Sequence, residues 1–169
     1  APAALEFPAL YPPVPALKAL SVQPMVQGGQ ISITWKDCGA PHGHVDSISP
    51  ASATLGQLTN IVGTGKVDED FTGGSYHFKV SAGILPLLSH TGDICKPETI
   101  NLPLGTGTIE WKGLPCPVKA GEVSLGMAMT LSSSIPSSMA KTTIALTAGT
   151  SATAADLLCV TLNTAPAAL

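Results

Sequence analysis

Apolar and polar residues alternate with a period of two in several separate stretches of this chain, and each such stretch predicts a strand. Ile31, Ile33 and Trp35 alternate with Ser32, Thr34 and Lys36. Tyr76, Phe78, Val80 and Ala82 alternate with Ser75, His77, Lys79 and Ser81. Val123, Leu125, Met127, Met129 and Leu131 alternate with Ser124, Gly126, Ala128 and Thr130. Small residues opposite long flexible ones suit a curved strand over a roomy interior, and methionine adapts to irregular apolar contacts. Thr142, Ile144, Leu146 and Ala148 predict a further strand, and residues 157–162 a last one. Weaker signals lie at 44–49, stopped by Pro50, and at 58–67, broken by Gly63 and Gly65. The acidic turn Asp68-Glu69-Asp70 and the pair Gly73-Gly74 mark a hairpin.

Seven or eight strands at turn spacings of 8–12 residues, with no helical period, predict an all-β fold, an immunoglobulin-like antiparallel β-sandwich of two sheets. The stretch 85–121 holds two cysteines and several turn signals, and reads as a loop at the mouth of the sandwich. Residues 1–30 are different material: six prolines forbid a continuous helix, while Leu5, Phe7, Leu10, Tyr11, Val14, Leu17 and Leu20 make it apolar for a solvated linker. It reads either as a leftover tail or as an extended arm laid on the domain or on a protein partner. The expected organisation is an arm over 1–30, one domain over 31–163, and a short Ala/Pro tail over 164–169.

Composition sharpens this picture. Hydrophobic residues make up 44% and charged residues only 11% of the 169, where about a quarter charged is usual. No window approaches the length of a membrane helix, so the excess must go inward, onto a partner, or around a ligand. A net charge of −3 without a basic cluster excludes nucleic acid as a partner. Four cysteines, none in a C-x-x-C pair, predict disulfides and an exported, oxidising compartment, secreted or luminal. Spacing alone leaves all three pairings open. The chain opens on APAAL without a charged segment, so any targeting peptide is expected to be gone or not included.

Catalytic motifs are missing. Ser124 lacks the first glycine of a nucleophile elbow, and Gly105-Thr106-Gly107 lacks the third glycine of a dinucleotide loop. His42 and His44 flank a glycine, and Asp68, Glu69 and Asp70 could be calcium ligands, but both patterns are ordinarily solvated turns. No enzyme activity, cofactor or metal is expected.

Four blocks carry a resemblance: Trp35-Lys36-Asp37-Cys38-Gly39, then Thr91-Gly92-Asp93-Ile94-Cys95, then Cys116-Pro117-Val118-Lys119-Ala120-Gly121, then Leu157-Leu158-Cys159. In this order they resemble the ML lipid-recognition family, which includes sterol carriers, a ganglioside activator and fungal phosphatidylglycerol/phosphatidylinositol transfer proteins. The fungal proteins look most similar, sharing a Gly-rich hairpin like Thr64-Gly65-Lys66-Val67 with Thr72-Gly73-Gly74-Ser75-Tyr76, and a lead-in like Leu87-Leu88-Ser89. The resemblance implies the pairings Cys38–Cys159 and Cys95–Cys116, and two splayed sheets with an apolar cavity that binds and transfers a lipid without catalysis.

The expected cavity wall is Tyr76, Phe78, Val80, Leu125, Met127, Met129, Ile144 and Leu146. The expected mouth is Leu85, Leu87, Leu88, Trp111 and Leu114, with transient membrane contact through apolar loop residues. Two departures stand out: 42–50 carries no extra cysteine, and the twenty residues between Cys95 and Cys116 are more than sterol carriers have. Ligand class therefore does not carry over. The alternative is a structural or accessory subunit, the same fold kept as a scaffold and docked through the arm and the 96–115 insert.

Overall fold

The computed structural model describes residues 25–27, 29–151 and 153–167. Among these the strands are, in order, β1 Met25–Gln27, β2 Gln30–Asp37, β3 Gly43–Ser49, β4 Ser52–Thr54, β5 Leu58–Val67, β6 Ser75–Ala82 and β7 Leu85–Asp93. They continue with β8 Glu98–Asn101, β9 Gly107–Trp111, β10 Gly121–Leu131, β11 Ser134–Pro136, β12 Thr143–Gly149 and β13 Leu158–Pro166. One four-residue helical turn, Ser137–Ala140, follows β11.

The strands form two facing antiparallel sheets. One has five strands in the order β3-β5-β10-β9-β8, the other six in the order β4-β2-β13-β12-β6-β7. β1 pairs only with β11, a small ribbon beside a minor core of Ile31, Leu55, Ile135 and Ala140. The fold is the immunoglobulin-like β-sandwich that the alternation predicts.

Burial follows the period of two. In β2 Ile31 and Ile33 are buried, in β6 Tyr76, Phe78 and Val80, and in β13 Val160, Leu162 and Thr164. The side chains between them face outward, as a pleated strand requires. Most of these residues join one buried cluster with Ile100, Ile109, Trp111, Met129 and Leu146. Each fully buried large side chain there contributes about 1.5–3 kcal/mol.

Three expectations need correction. The stretch 85–121 is not a loop, because β7, β8 and β9 lie inside it. β7 hid itself because it is an edge strand, where Pro86 is tolerated and both faces are partly wet, so no alternation shows. The domain does not stop at 163: Thr164, Ala165 and Pro166 continue β13 against Ile33, Ser32 and Ile31. Thr164 lies buried there with its hydroxyl 2.7 Å from that of Thr142, a polar position that apolar periodicity misses. The expected arm is also shorter than 30 residues, since β1 begins at Met25 and β2 at Gln30. The rest of that arm, 1–24, lies outside the described residues.

Both expected disulfides form, Cys38–Cys159 and Cys95–Cys116, with Cα separations of 5.1 and 5.7 Å. The first staples the end of β2 to β13 in the middle of the six-stranded sheet. The second joins the β7–β8 turn, which passes from one sheet to the other, to the β9–β10 connection of the five-stranded sheet. Each is held by an aspartate just before its cysteine. Asp37 accepts the Gly39 and Val45 amides at 2.6 Å each, and Asp93 accepts the Cys95 amide at 2.8 Å. These carboxylates shape the turns that aim the sulfurs. The sheets are pinched together at this end, where a Cβ on Gly43 would sit 2.0 Å from the Leu157 carbonyl oxygen.

Candidate functional site

An apolar cavity of about 100 Å³ lies between the sheets. One wall is β3, β5 and β10, through Val45, Ile48, Ile61, Val67, Val123, Leu125 and Met127; the other is β12 and β13, through Leu146, Ala148, Leu158, Val160 and Leu162. Phe71, Ile94, Trp111, Leu114 and Leu157 also line it. His44, Thr64 and Lys66 border this space from the paired strands β3 and β5, but they are exposed and alternate with the inward Val45, Gly63, Gly65 and Val67, so their side chains face outward. On that outer face His44 Nε2 lies 3.1 Å from an Asp46 oxygen. Val45, Ile48, Val67, Val123, Leu125, Met127 and Leu158 are only half-buried although they line an apolar space.

The structure divides the expected wall in two. Leu125, Met127 and Leu146 line the cavity. Tyr76, Phe78, Val80 and Met129 are buried instead in the filled part of the core, and Ile144 packs against it. The division follows from where β8 and β9 close the sandwich: the Tyr76 ring stacks on Trp111, centroids 4.0 Å apart and planes 12° off parallel. Such a pair adds about 0.5–1.5 kcal/mol to the burial itself.

The expected mouth does not form one rim. Trp111 and Leu114 line the cavity near the disulfides, held by bonds from the Trp111 indole and the Leu114 amide to the Ile94 carbonyl. Leu85 is exposed at the far end of β7, seven residues from Gly92, which pairs with Tyr76. Seven residues of strand span about 23 Å. Leu87 and Leu88 are half-buried against the core between these ends.

Most of the lining from β3, β5 and β13 was missed by alternation. Gly63 and Gly65 break the period in β5, yet Gly65 is needed: its Cβ would meet the His44 carbonyl oxygen at 2.2 Å. The ladder between β3 and β5 shifts register between Val45 and Ser47, and this irregularity scrambles the pattern of β3 as well.

A polar clasp spans the two outer strands beside the filled core. Glu98 at the start of β8 accepts from the Tyr76 hydroxyl at 2.7 Å and lies 2.8 Å from His90 Nε2 on β7. The bonds to His90 and Tyr76 hold the Glu98 carboxyl below its ordinary value of 4.5. Burial, then Glu98, pushes the Tyr76 phenol well above its usual range. A carboxyl whose folded pKa is depressed stabilises fully above its unfolded value and less as pH falls through the folded one. Glu98→Gln should therefore lower the melting temperature at pH 6–8, with the gap to wild type closing as pH falls below about 4. A gap that widens on acidification would overturn this role.

The two polar patterns singled out in the sequence meet at the disulfide end. His42 Nδ1 lies 3.0 Å from Asp68 and 3.9 Å from Glu69, and the hydrogen bond to Asp68 raises the histidine above 6.5. Their three offering atoms lie within 4.8 Å of one another. The cluster is solvent-facing and its groups satisfy one another, tying the β2–β3 turn to the β5–β6 turn.

Two facing antiparallel sheets with two disulfides at one end and an apolar cavity between the layers define a β-sandwich. The ML domain matches residues 32–165, so the chain belongs to the ML-domain family. No curated protein matches it. Among solved structures it is similar to chicken MD-1, crystallised in complex with lipid IVa, at 15% identity and a TM-score of 0.51, covering 87% of this chain and 100% of that one. This likeness concerns the fold. Lipid binding is the family's activity, and two disulfides fit an oxidising environment.

Proposed function

We propose that the protein binds and carries a lipid, a sterol or a phospholipid or glycolipid, by taking its hydrocarbon between the sheets without chemical change. The observation that carries this reading is the apolar cavity walled by half-buried aliphatic side chains of β3, β5, β10 and β13. Each methylene moved from water into such a space contributes about 0.8 kcal/mol, so a tail needs few polar contacts to bind. The precedent of MD-1 with lipid IVa supports the class of ligand.

At about 100 Å³ the cavity is small beside the 300–1,000 Å³ of pockets that enclose drug-sized molecules. Loading therefore requires the β3–β5–β10 wall to move away from β13, while the clasp of Tyr76, Glu98 and His90 and the Trp111 stack hold the other side. The small volume equally favours a second reading, a scaffold or accessory subunit whose interior stays closed. Native mass spectrometry of the purified chain, followed by extraction and a fluorescent-lipid titration, separates the two. Co-purified or saturably bound lipid is expected; a lipid-free monomer that takes up no probe leaves the scaffold.

A further inference from the structure

Five large hydrophobics are exposed among the described residues: Leu58, Val62, Ile84, Leu85 and Leu104. Single exposed aliphatics are ordinary; the placement of these is not. Ile84 is fully exposed at the β6–β7 hairpin tip, beside Gly83 at φ 61° and next to Leu85. Leu104, 87% exposed, tops the β8–β9 turn at φ 58°, the one non-glycine residue with positive φ among the described residues. Turns of this kind favour Gly or Asn, and a leucine held there gains nothing from the backbone.

The two tips share one corner of the sandwich. β7 and β8 are the outermost strands of their sheets and touch through His90 and Glu98. From that contact Leu85 lies five residues back along β7, about 17 Å of strand, and Leu104 lies in the turn past the end of β8, both in the direction opposite the disulfides. Leu58, at the start of β5, belongs to the same end, since its partner Thr130 lies beside Gly107 and Thr108.

Charge is segregated in the same direction. Residues 52–60, 81–88, 101–108 and 127–143, which build this end, contain no Asp or Glu; their one charged side chain is the exposed Lys141. Lys141 sits two residues before Thr143, the partner of Ser81 at the base of the Ile84 hairpin. The carboxylates of the described residues lie elsewhere, among them Asp37, Asp68 to Asp70, Asp93 and Asp156 around the disulfide end.

We propose that this acid-free end docks on an anionic lipid bilayer, with Ile84, Leu85 and Leu104 entering the interface and Lys141 facing the charged head groups. Binding of this kind scales with the apolar area inserted and with attraction to anionic lipid. The inference rests on the lipid-carrier reading for its purpose and adds the surface that would hold the protein on its membrane, at the end opposite the disulfides.

Flotation of the full chain with vesicles of phosphatidylcholine containing about 30% phosphatidylserine tests it. Wild type should float, and weaken severalfold on phosphatidylcholine alone or in high salt. The variant I84D/L104D, altered only at exposed tips and leaving residues 1–24 intact, should partition at least about tenfold less. V62D, which removes an exposed aliphatic side chain away from these tips, should float like wild type. The milder I84S/L104G should fall between wild type and the double aspartate, and circular dichroism confirms folding of each. Wild type that fails to float, or floats no better than I84D/L104D, overturns the proposal. Fluorescent-lipid uptake distinguishes the two ideas: I84D/L104D should keep it, whereas failure of wild type to take up lipid sinks the carrier and leaves the flotation result standing.

Discussion

Replacing Leu125 or Met127 by glutamate should reduce lipid uptake at least about tenfold, or about 1.4 kcal/mol. Both lie on β10 and line the cavity from its five-stranded wall, and both are half-buried, so a carboxylate there can reach water in the empty protein. Once hydrocarbon fills the space that carboxylate must be desolvated without a partner, and burying an unpaired charge is far costlier than losing one apolar contact. The effect therefore falls on binding more than on folding. Phe78→Leu is the informative contrast, because Phe78 sits in the filled core rather than at the cavity. It should lower stability by about 1–3 kcal/mol and leave the affinity of the folded fraction near wild type. Titration with a fluorescent lipid, alongside urea unfolding of each variant, reads both quantities. Uptake that survives both glutamates would mean that hydrocarbon is held elsewhere or not at all.

The second large effect separates the disulfides. Cys38–Cys159 joins residues 121 apart, so in the chain-entropy account its removal costs about 5 kcal/mol. Cys95–Cys116 joins residues 21 apart, and the same account gives about 3 kcal/mol. Whole domains are stable by only about 5–15 kcal/mol, so C38S/C159S should be marginally folded at best. C95S/C116S should fold and yet lose lipid affinity, because that bridge anchors the segments carrying Ile94 and Leu114 into the cavity lining. Denaturant melts at pH 7 and lipid titrations of both double variants provide the check. If the short-loop variant proved the less stable, the assignment of global and local roles would be reversed.

The reach of the sequence can be seen strand by strand. β2, β6, β10 and β12 were legible because each has one buried face and one wet one, so their alternation survives. β7 was not, since an edge strand with Pro86 lacks that contrast, and β8 and β9 are too short for a period to emerge between turns. At the cavity, Leu125, Met127 and Leu146 could be named because they lie on regular strands. Val45, Ile48, Val67 and Leu158 could not, because a register shift, paired glycines and a strand that begins on Leu158 break the pattern there. Alternation identifies inward residues but does not say whether they meet one another or a void. Tyr76 and Phe78 met the protein's own aromatic and aliphatic groups.

The place of β13 has a consequence for biosynthesis. The last of the described strands lies between β2, the first of its sheet, and β12, so one edge of each stays unpaired until Leu158–Pro166 has been made, although β4 and β6 can already pair with their other edges. Until then two apolar strand edges stand open in the nascent chain, a hazard for off-pathway association. The chain is exposed to that hazard for the interval between synthesis of β2 and arrival of β13. Ribosome-stalled chains ending before residue 158 should remain protease-sensitive along their whole length.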